Sequence, residues 1–210
     1  MRGALAWADA GSPETQLTMA ASLFDYWHVR GAYREGRDWL ERVLAHGDSA
    51  DGVRARALHA LSFFLFSLGD FERASQVGED SLELYRSLAD SEGVGRTVHL
   101  LGQIARLVGD RTRAVELAHE SLELARKLDH TRGIIVSLGH MGQLLAEDGD
   151  RAGGMRLLDE ARALALEHGD ETALAGLCLK AATLERSWGN RDAAIELAVQ
   201  GLDLCVWRTT

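Results

Sequence analysis

The residues best suited to binding chemistry fall on one helical track. Arg96, His99, Gln103 and Arg106 are spaced i, i+3, i+7 and i+10, which places them on a single face of a helix. Two guanidinium groups with an imidazole and an amide between them make a cationic, hydrogen-bonding stripe that suits carboxylates. Forty residues earlier the same track carries Arg56, His59, Phe63 and Phe66, so its chemistry there is partly aromatic. Forty residues later it carries Gln143, with His140 beside it, and after one more step it carries Arg186.

Catalytic and metal chemistry finds less support. The chain has eight histidines, none of them three or four residues from another, so no helical two-histidine metal motif exists. His59 and His99 share a column, but neighbouring helices pack roughly 10 Å apart, too far for an obvious shared ligand. Cys178 and Cys205 stand 27 residues apart with no CxxC or zinc spacing, and they read as small buried hydrophobes in a reducing, cytoplasmic setting. Gly93-Val94-Gly95 lacks the preceding strand and third glycine of a dinucleotide loop. There is neither a Walker phosphate loop nor a GxSxG elbow. The expectation is therefore no enzyme, no metal and no cofactor. A formal charge of −9, from 32 Asp+Glu against 23 Lys+Arg, opposes binding to nucleic acid or an anionic membrane. The uncharged stretches Ala57 to Gly69 and Gly133 to Ala146 are too short to cross a bilayer.

The elements that must position this track announce themselves through a repeat. Gly69-Asp70, Gly109-Asp110, Gly149-Asp150 and Gly189-Asn190 recur every 40 residues. Seven residues before each glycine stands Ser62, Gly102, Gly142 or Ala182; five after it stands Ala74, Ala114, Gly154 or Ala194. A second small column holds Ser81, Ser121, Ala161 and Gly201, and Leu84, Leu124, Leu164 and Leu204 keep the same phase. A period of this length in four copies means stacked repeats. Each repeat reads as two helices. In the first repeat these run about Gly52 to Leu68, with Leu58, Leu61, Leu65 and Leu68 as the apolar stripe, and Phe71 to Leu88. The glycine stops the first helix in a left-handed conformation, and Asp or Asn caps the second. Small residues on facing helices let the two backbones approach.

A degenerate pair precedes these repeats. Gly31-Ala32-Tyr33-Arg34-Glu35-Gly36 mirrors Gly69 to Ala74 at a shift of 38. Its helices are expected at about Pro13 to Arg30 and Tyr33 to His46, with a short lead-in helix at about Arg2 to Ala10. The organisation is one continuous domain: 1–50 holds the lead-in and degenerate repeat, and 51–210 holds four repeats, 51–90, 91–130, 131–170 and 171–210.

These columns resemble tetratricopeptide repeats: a Leu-Gly or Met-Gly pair in the first helix (Leu101-Gly102, Met141-Gly142), a Gly-Asp turn, then two small positions along the second helix. The chain departs from that family in its 40-residue period, in lacking a proline at the close of each repeat and in lacking the first-helix aromatic. The longer variety is similar to the repeat region of large bacterial transcription regulators of the LuxR and antibiotic-regulator types. The segments Leu23-Phe24-Asp25-Tyr26-Trp27-His28-Val29-Arg30-Gly31 and Glu35-Gly36-Arg37-Asp38-Trp39-Leu40-Glu41-Arg42 resemble its opening. The resemblance implies an all-α solenoid, a right-handed superhelix of antiparallel helix pairs whose first helices line a concave groove. It also implies a scaffold or sensor module that binds a protein or peptide.

Two uses of the track remain open. In one, the groove takes an extended peptide or acidic helix. In the other, it closes on a small effector or signalling peptide, with an apolar pocket among Trp27, Phe63 and Phe66. Phe63 and Phe66 have a structural alternative of equal weight, closing the stack beside Tyr26 and Trp27. The last helix ends Leu202-Asp203-Leu204-Cys205-Val206-Trp207, an apolar run. A solenoid end needs a polar cap, so this end is expected to continue into a longer chain or to pair with a second copy as a homodimer.

Overall fold

Gly69, Gly109, Gly149 and Gly189 all adopt positive φ, between 82° and 99°, and each ends one helix and admits the next. The computed structural model describes residues 13–45 and 51–206, and every regular element among them is an α-helix. In chain order these are α1 (Pro13–Ser22), α2 (Phe24–Val29), α3 (Tyr33–Leu44), α4 (Asp51–Ser67), α5 (Phe71–Ser87), α6 (Ser91–Val108), α7 (Arg111–Lys127), α8 (Thr131–Glu147), α9 (Arg151–Glu167), α10 (Glu171–Ser187) and α11 (Arg191–Val206). The expected lead-in helix and Trp207 lie outside the described residues.

The degenerate repeat corrects two boundaries. The helix expected over Pro13 to Arg30 is two, α1 and α2, joined through Leu23, and the one expected to reach His46 ends at Leu44. No glycine or proline marks the break at Leu23. The bend is set by packing: Trp27, on α2, is fully buried, as are Leu17 and Ala20 on α1.

The turns between repeats use the same left-handed stop with other residues. Ala89 (φ 53°) and Asp129 (φ 49°) stand where Gly169 (φ 65°) stands in the third repeat. An L-residue there costs about 1–2 kcal/mol against right-handed backbone. Ala89 is exposed, so Ala89→Gly relieves the strain without disturbing a contact. The expected gain is about 0.5–1 kcal/mol in urea unfolding, after the greater freedom of glycine in the unfolded chain is allowed for. Of the expected second-helix caps, Asp70 and Asp150 accept from the backbone N–H of Arg73 and Gly153 at 3.5 and 2.9 Å; Asp90 and Asp170, which open first helices, accept from Gly93 and Ala173 at 2.9 and 3.0 Å.

The chain divides into two compact units, Met1–Asp110 and Arg111–Thr210. The division falls inside the repeat 91–130. In the first unit α4 packs against α1, α3, α5 and α6, and α5 lies between α4 and α6. In the second, α8 packs against α7, α9 and α10, α9 lies between α8 and α10, and α11 packs on α10. Ser62, Gly102, Gly142 and Ala182 are all buried. The Ser62 hydroxyl donates to the carbonyl of Ala74 at 2.7 Å, and that of Ser81 to Ala55 at 2.8 Å, so each small polar side chain in the seam between α4 and α5 is satisfied. In the second unit Gly142 and Gly154 replace such side chains with bare backbone approach. A Cβ on Gly154 would lie 2.6 Å from the carbonyl oxygen of Gly142.

Candidate functional site

In the first unit, helices α4 and α6 carry the track. Both are first helices of their repeats, and their equivalent positions follow the 40-residue period. Arg56 and Arg96 are exposed, whereas His59, Phe63, Phe66, His99, Gln103 and Arg106 are half-buried.

A hydrogen-bonded chain ties the two helices together at His59. The Thr97 hydroxyl donates to the carbonyl of Gly93 at 2.9 Å. Its oxygen is then free to accept, and His59 Nδ1 lies 3.1 Å from it. This arrangement puts the His59 proton on Nδ1 and leaves Nε2 as an acceptor. Burial, with the Arg96 guanidinium adding to it, pushes the His59 pKa down to about 4. His59 is therefore neutral at physiological pH and serves as a hydrogen-bonding group rather than a charge.

The same shift couples to stability. The unfolded chain takes up the His59 proton near its ordinary value of 6.5, and the folded chain only near 4. Between those values the unfolded state binds more protons, so acidification through that window favours unfolding. His59→Gln removes this term. Its urea midpoint is expected to fall less steeply than that of the parent protein between pH 6.5 and pH 4; parallel profiles would show that His59 does not titrate as described.

Next along α6, Gln103 Nε2 donates to His99 Nε2 at 2.8 Å. Arg96 pairs with Glu92 at 3.2 Å, one turn back on the same helix, and its guanidinium acts on the phenol of Tyr85. Burial pushes the Tyr85 pKa up, against the opposing effect of Arg96, so the phenol stays protonated. Tyr85 comes from α5, is 2% exposed, and fills the space that a Cβ on Gly93 would need. The sequence reading omitted both Tyr85 and Thr97. The available signal was a bulky residue in an otherwise small column, Tyr85, Ala125 and Ala165, opposite a glycine.

The aromatic end of the track merges with the degenerate repeat. Phe63 meets Phe24 edge-on at 5.2 Å, His28 at 5.0 Å and Tyr33 at 6.3 Å between ring centroids. Phe66 lies 6.5 Å from Phe63 and 6.0 Å from Phe71. Phe64 stacks on Phe24 and meets Trp27 edge-on at 6.1 Å. All five phenylalanines of the chain thus belong to one cluster. Trp27 and Phe64 form its fully buried floor, and Phe24, Tyr33, Phe63 and Phe66 form a half-exposed edge. Trp27 sits beneath Phe64 rather than beside Phe63 and Phe66.

In the second unit the track residues are dispersed. His140 and Gln143 on α8 are buried, and Arg186 on α10 is exposed. Lys180 of α10 donates to Gln143 Oε1 at 2.8 Å, and Gln143 Nε2 donates to Glu147 Oε1 at 3.1 Å. Gln143 here links neighbouring first helices. Among the described residues no group of three or more His, Cys, Asp or Glu is placed to hold a metal ion, and no helix is long and apolar enough to cross a membrane.

A tetratricopeptide repeat family model matches residues 53–127, which span both helices of the first full repeat and most of the second. The repeats are tetratricopeptide-like. Solved structures with the same fold cover nearly the whole chain. Putative kinesin light chain TPR-like repeats from Podosopora anserina superpose with a TM-score of 0.64 at 18% identity, over 94% of this chain and 98% of that one. A Rap protein complexed with Competence and Sporulation Factor gives a TM-score of 0.80 at 14% identity, over 96% of this chain and 57% of that one. A signal-transduction ATPase with a tetratricopeptide repeat sensor from Pyrococcus horikoshii gives 0.68 at 15% identity, over 92% of this chain and 29% of that one. At these identities the likeness is one of fold. No curated protein matches the sequence.

Proposed function

We propose that the protein is a non-catalytic interaction module whose first-helix face, on α4 and α6, binds an acidic peptide segment. The observation that carries this reading is the placement of Arg56, His59, Arg96, His99, Gln103 and Arg106 at track positions of two equivalent helices, α4 and α6, in a chain with net charge −9. The arginines supply charge-assisted hydrogen bonds to carboxylates, each worth about 1.5–3 kcal/mol. Neutral His59 and Gln103 orient the peptide, and the half-exposed edge of Phe63 and Phe66 takes an apolar side chain. In cellular terms the module serves a bacterial transcription regulator in the cytoplasm. A Rap protein complexed with Competence and Sporulation Factor and the tetratricopeptide repeat sensor of a signal-transduction ATPase share this fold and support a binding role.

The test begins with selection of binders from a random peptide library on the immobilised protein. The selected peptide is then titrated by calorimetry into the parent protein and into Arg96→Ala/Arg106→Ala. Acidic sequences are expected to enrich, and the double variant to bind at least about tenfold more weakly with its helix content unchanged. Equal affinity for the two proteins would refute the assignment of the face. Enrichment of uncharged sequences that bind both proteins equally would favour an aromatic effector site at Phe63 instead.

A further inference from the structure

Helix α11 bears three large apolar residues on its exposed side. Ile195, Val199 and Leu202 are 53%, 50% and 56% exposed, and their i, i+4, i+7 spacing makes one stripe. Leu122 holds the position of Leu202 two repeats earlier. It is 6% exposed and belongs to a core cluster with Ile135 and Leu138 of α8. Met155, at the position of Ile195 one repeat earlier, packs against that same cluster. At the position of Val199 the preceding repeats carry Glu79, His119 and Asp159, so its apolar side chain is specific to α11.

A second feature shows what kind of element fits. Arg111, the first residue of α7, donates to the carbonyl of Leu144 and pairs with Asp148 at 2.6 Å and Glu147 at 3.5 Å. Arg151, the first residue of α9, lies over the ring of Trp188 at 4.8 Å. In both cases the leading arginine holds the C-terminal turn of the helix that covers its own. Arg191 leads α11 in the same way and is exposed. The surface is therefore shaped for an amphipathic helix whose last turn lies at Arg191.

We propose that this helix is α11 of a second copy, paired antiparallel about a twofold axis. The stripe is self-complementary about its midpoint between Ala198 and Val199: Ile195 of each copy meets Leu202 of the other. The same pairing brings each last turn, with its unpaired carbonyls, to the opposite Arg191. Asp192, Glu196 and Asp203 form one edge of the stripe. An antiparallel pair sets that edge against its equivalent, so like charges oppose one another and salt strengthens the dimer by screening them.

Sedimentation equilibrium of the full chain tests the pairing. A mass of twice 22.9 kDa is expected, with a dissociation constant that falls as salt is raised. Leu202→Glu should return the monomer mass with unchanged helical circular dichroism. Asp203→Arg, which sets an arginine near Asp192 of the second copy, should tighten the dimer about tenfold at low salt. A monomer at all accessible concentrations would overturn the proposal. So would a dimer that survives Leu202→Glu, or one that Asp203→Arg leaves unchanged or weakens.

Discussion

Gly142→Leu is expected to destabilise the second unit by about 3 kcal/mol or more, at the upper end of overpacking effects. The reason is the neighbour that the new side chain meets. A Cβ at residue 142 would stand 2.7 Å from the carbonyl oxygen of Gly154 and 3.1 Å from the backbone nitrogen of Leu158. Both belong to α9, so only separation of α8 from α9 relieves the clash. That separation would open the buried surface around Leu138, Leu158 and Ala161. The equivalent positions in the first unit hold Ser62 and Ala74, whose side chains occupy the seam, and the Ser62 hydroxyl donates across it to the backbone carbonyl of Ala74. Those helices therefore sit at a separation that tolerates a Cβ. Gly176 is the control: it lies within α10, and a Cβ there meets nothing within 4 Å. Gly176→Ala should stabilise by about 0.5–1 kcal/mol through backbone entropy alone. Urea unfolding followed by circular dichroism separates the two outcomes. A Gly142→Leu protein as stable as its parent would mean that α8 and α9 are not in close backbone approach.

Phe64→Ala should cost about 3–5 kcal/mol, the range for removing a buried aromatic ring. Phe64 is fully buried and touches Phe24, Trp27, Tyr33 and Phe63. Its ring fills the space above Gly36, where a Cβ would stand 2.5 Å from it. The cavity is therefore shared between α2, α3 and α4, and collapse would require the short helix α2 to move. Phe63→Ala removes a neighbouring ring at the half-exposed edge and should cost clearly less. If the two variants unfold at the same denaturant concentration, the distinction between floor and edge is wrong.

That distinction shows where sequence reasoning stops. The phase of Phe63 and Phe66 sets which face of α4 they share. Phase alone does not say what stands opposite, and α2 and α3 supply Phe24, His28 and Tyr33 from a segment whose repeat pattern is degenerate. The turns show the same limit. Glycine declares a left-handed stop through its missing Cβ, so Gly69, Gly109, Gly149 and Gly189 were legible. Ala89 and Asp129 adopt that conformation because the flanking helices impose it, and neither residue type reveals it. The small columns were legible because close helix approach excludes anything larger. Tyr85 was not, since its place depends on a compensating glycine on another helix, Gly93. In the second unit Gln143 keeps its phase but is occupied by Lys180 and Glu147, a pairing that only three-dimensional neighbours determine.

The binding face itself is open to one direct measurement: an amide and side-chain chemical-shift map of the protein titrated with a library-selected acidic peptide. Perturbations should follow Arg56, His59, Arg96, His99, Gln103 and Arg106, while the outer positions of α5, such as Glu79 and Glu83, stay still. A map centred on α5 or α11, with the α4 and α6 residues unmoved, would contradict the assignment of the first-helix face as the peptide site.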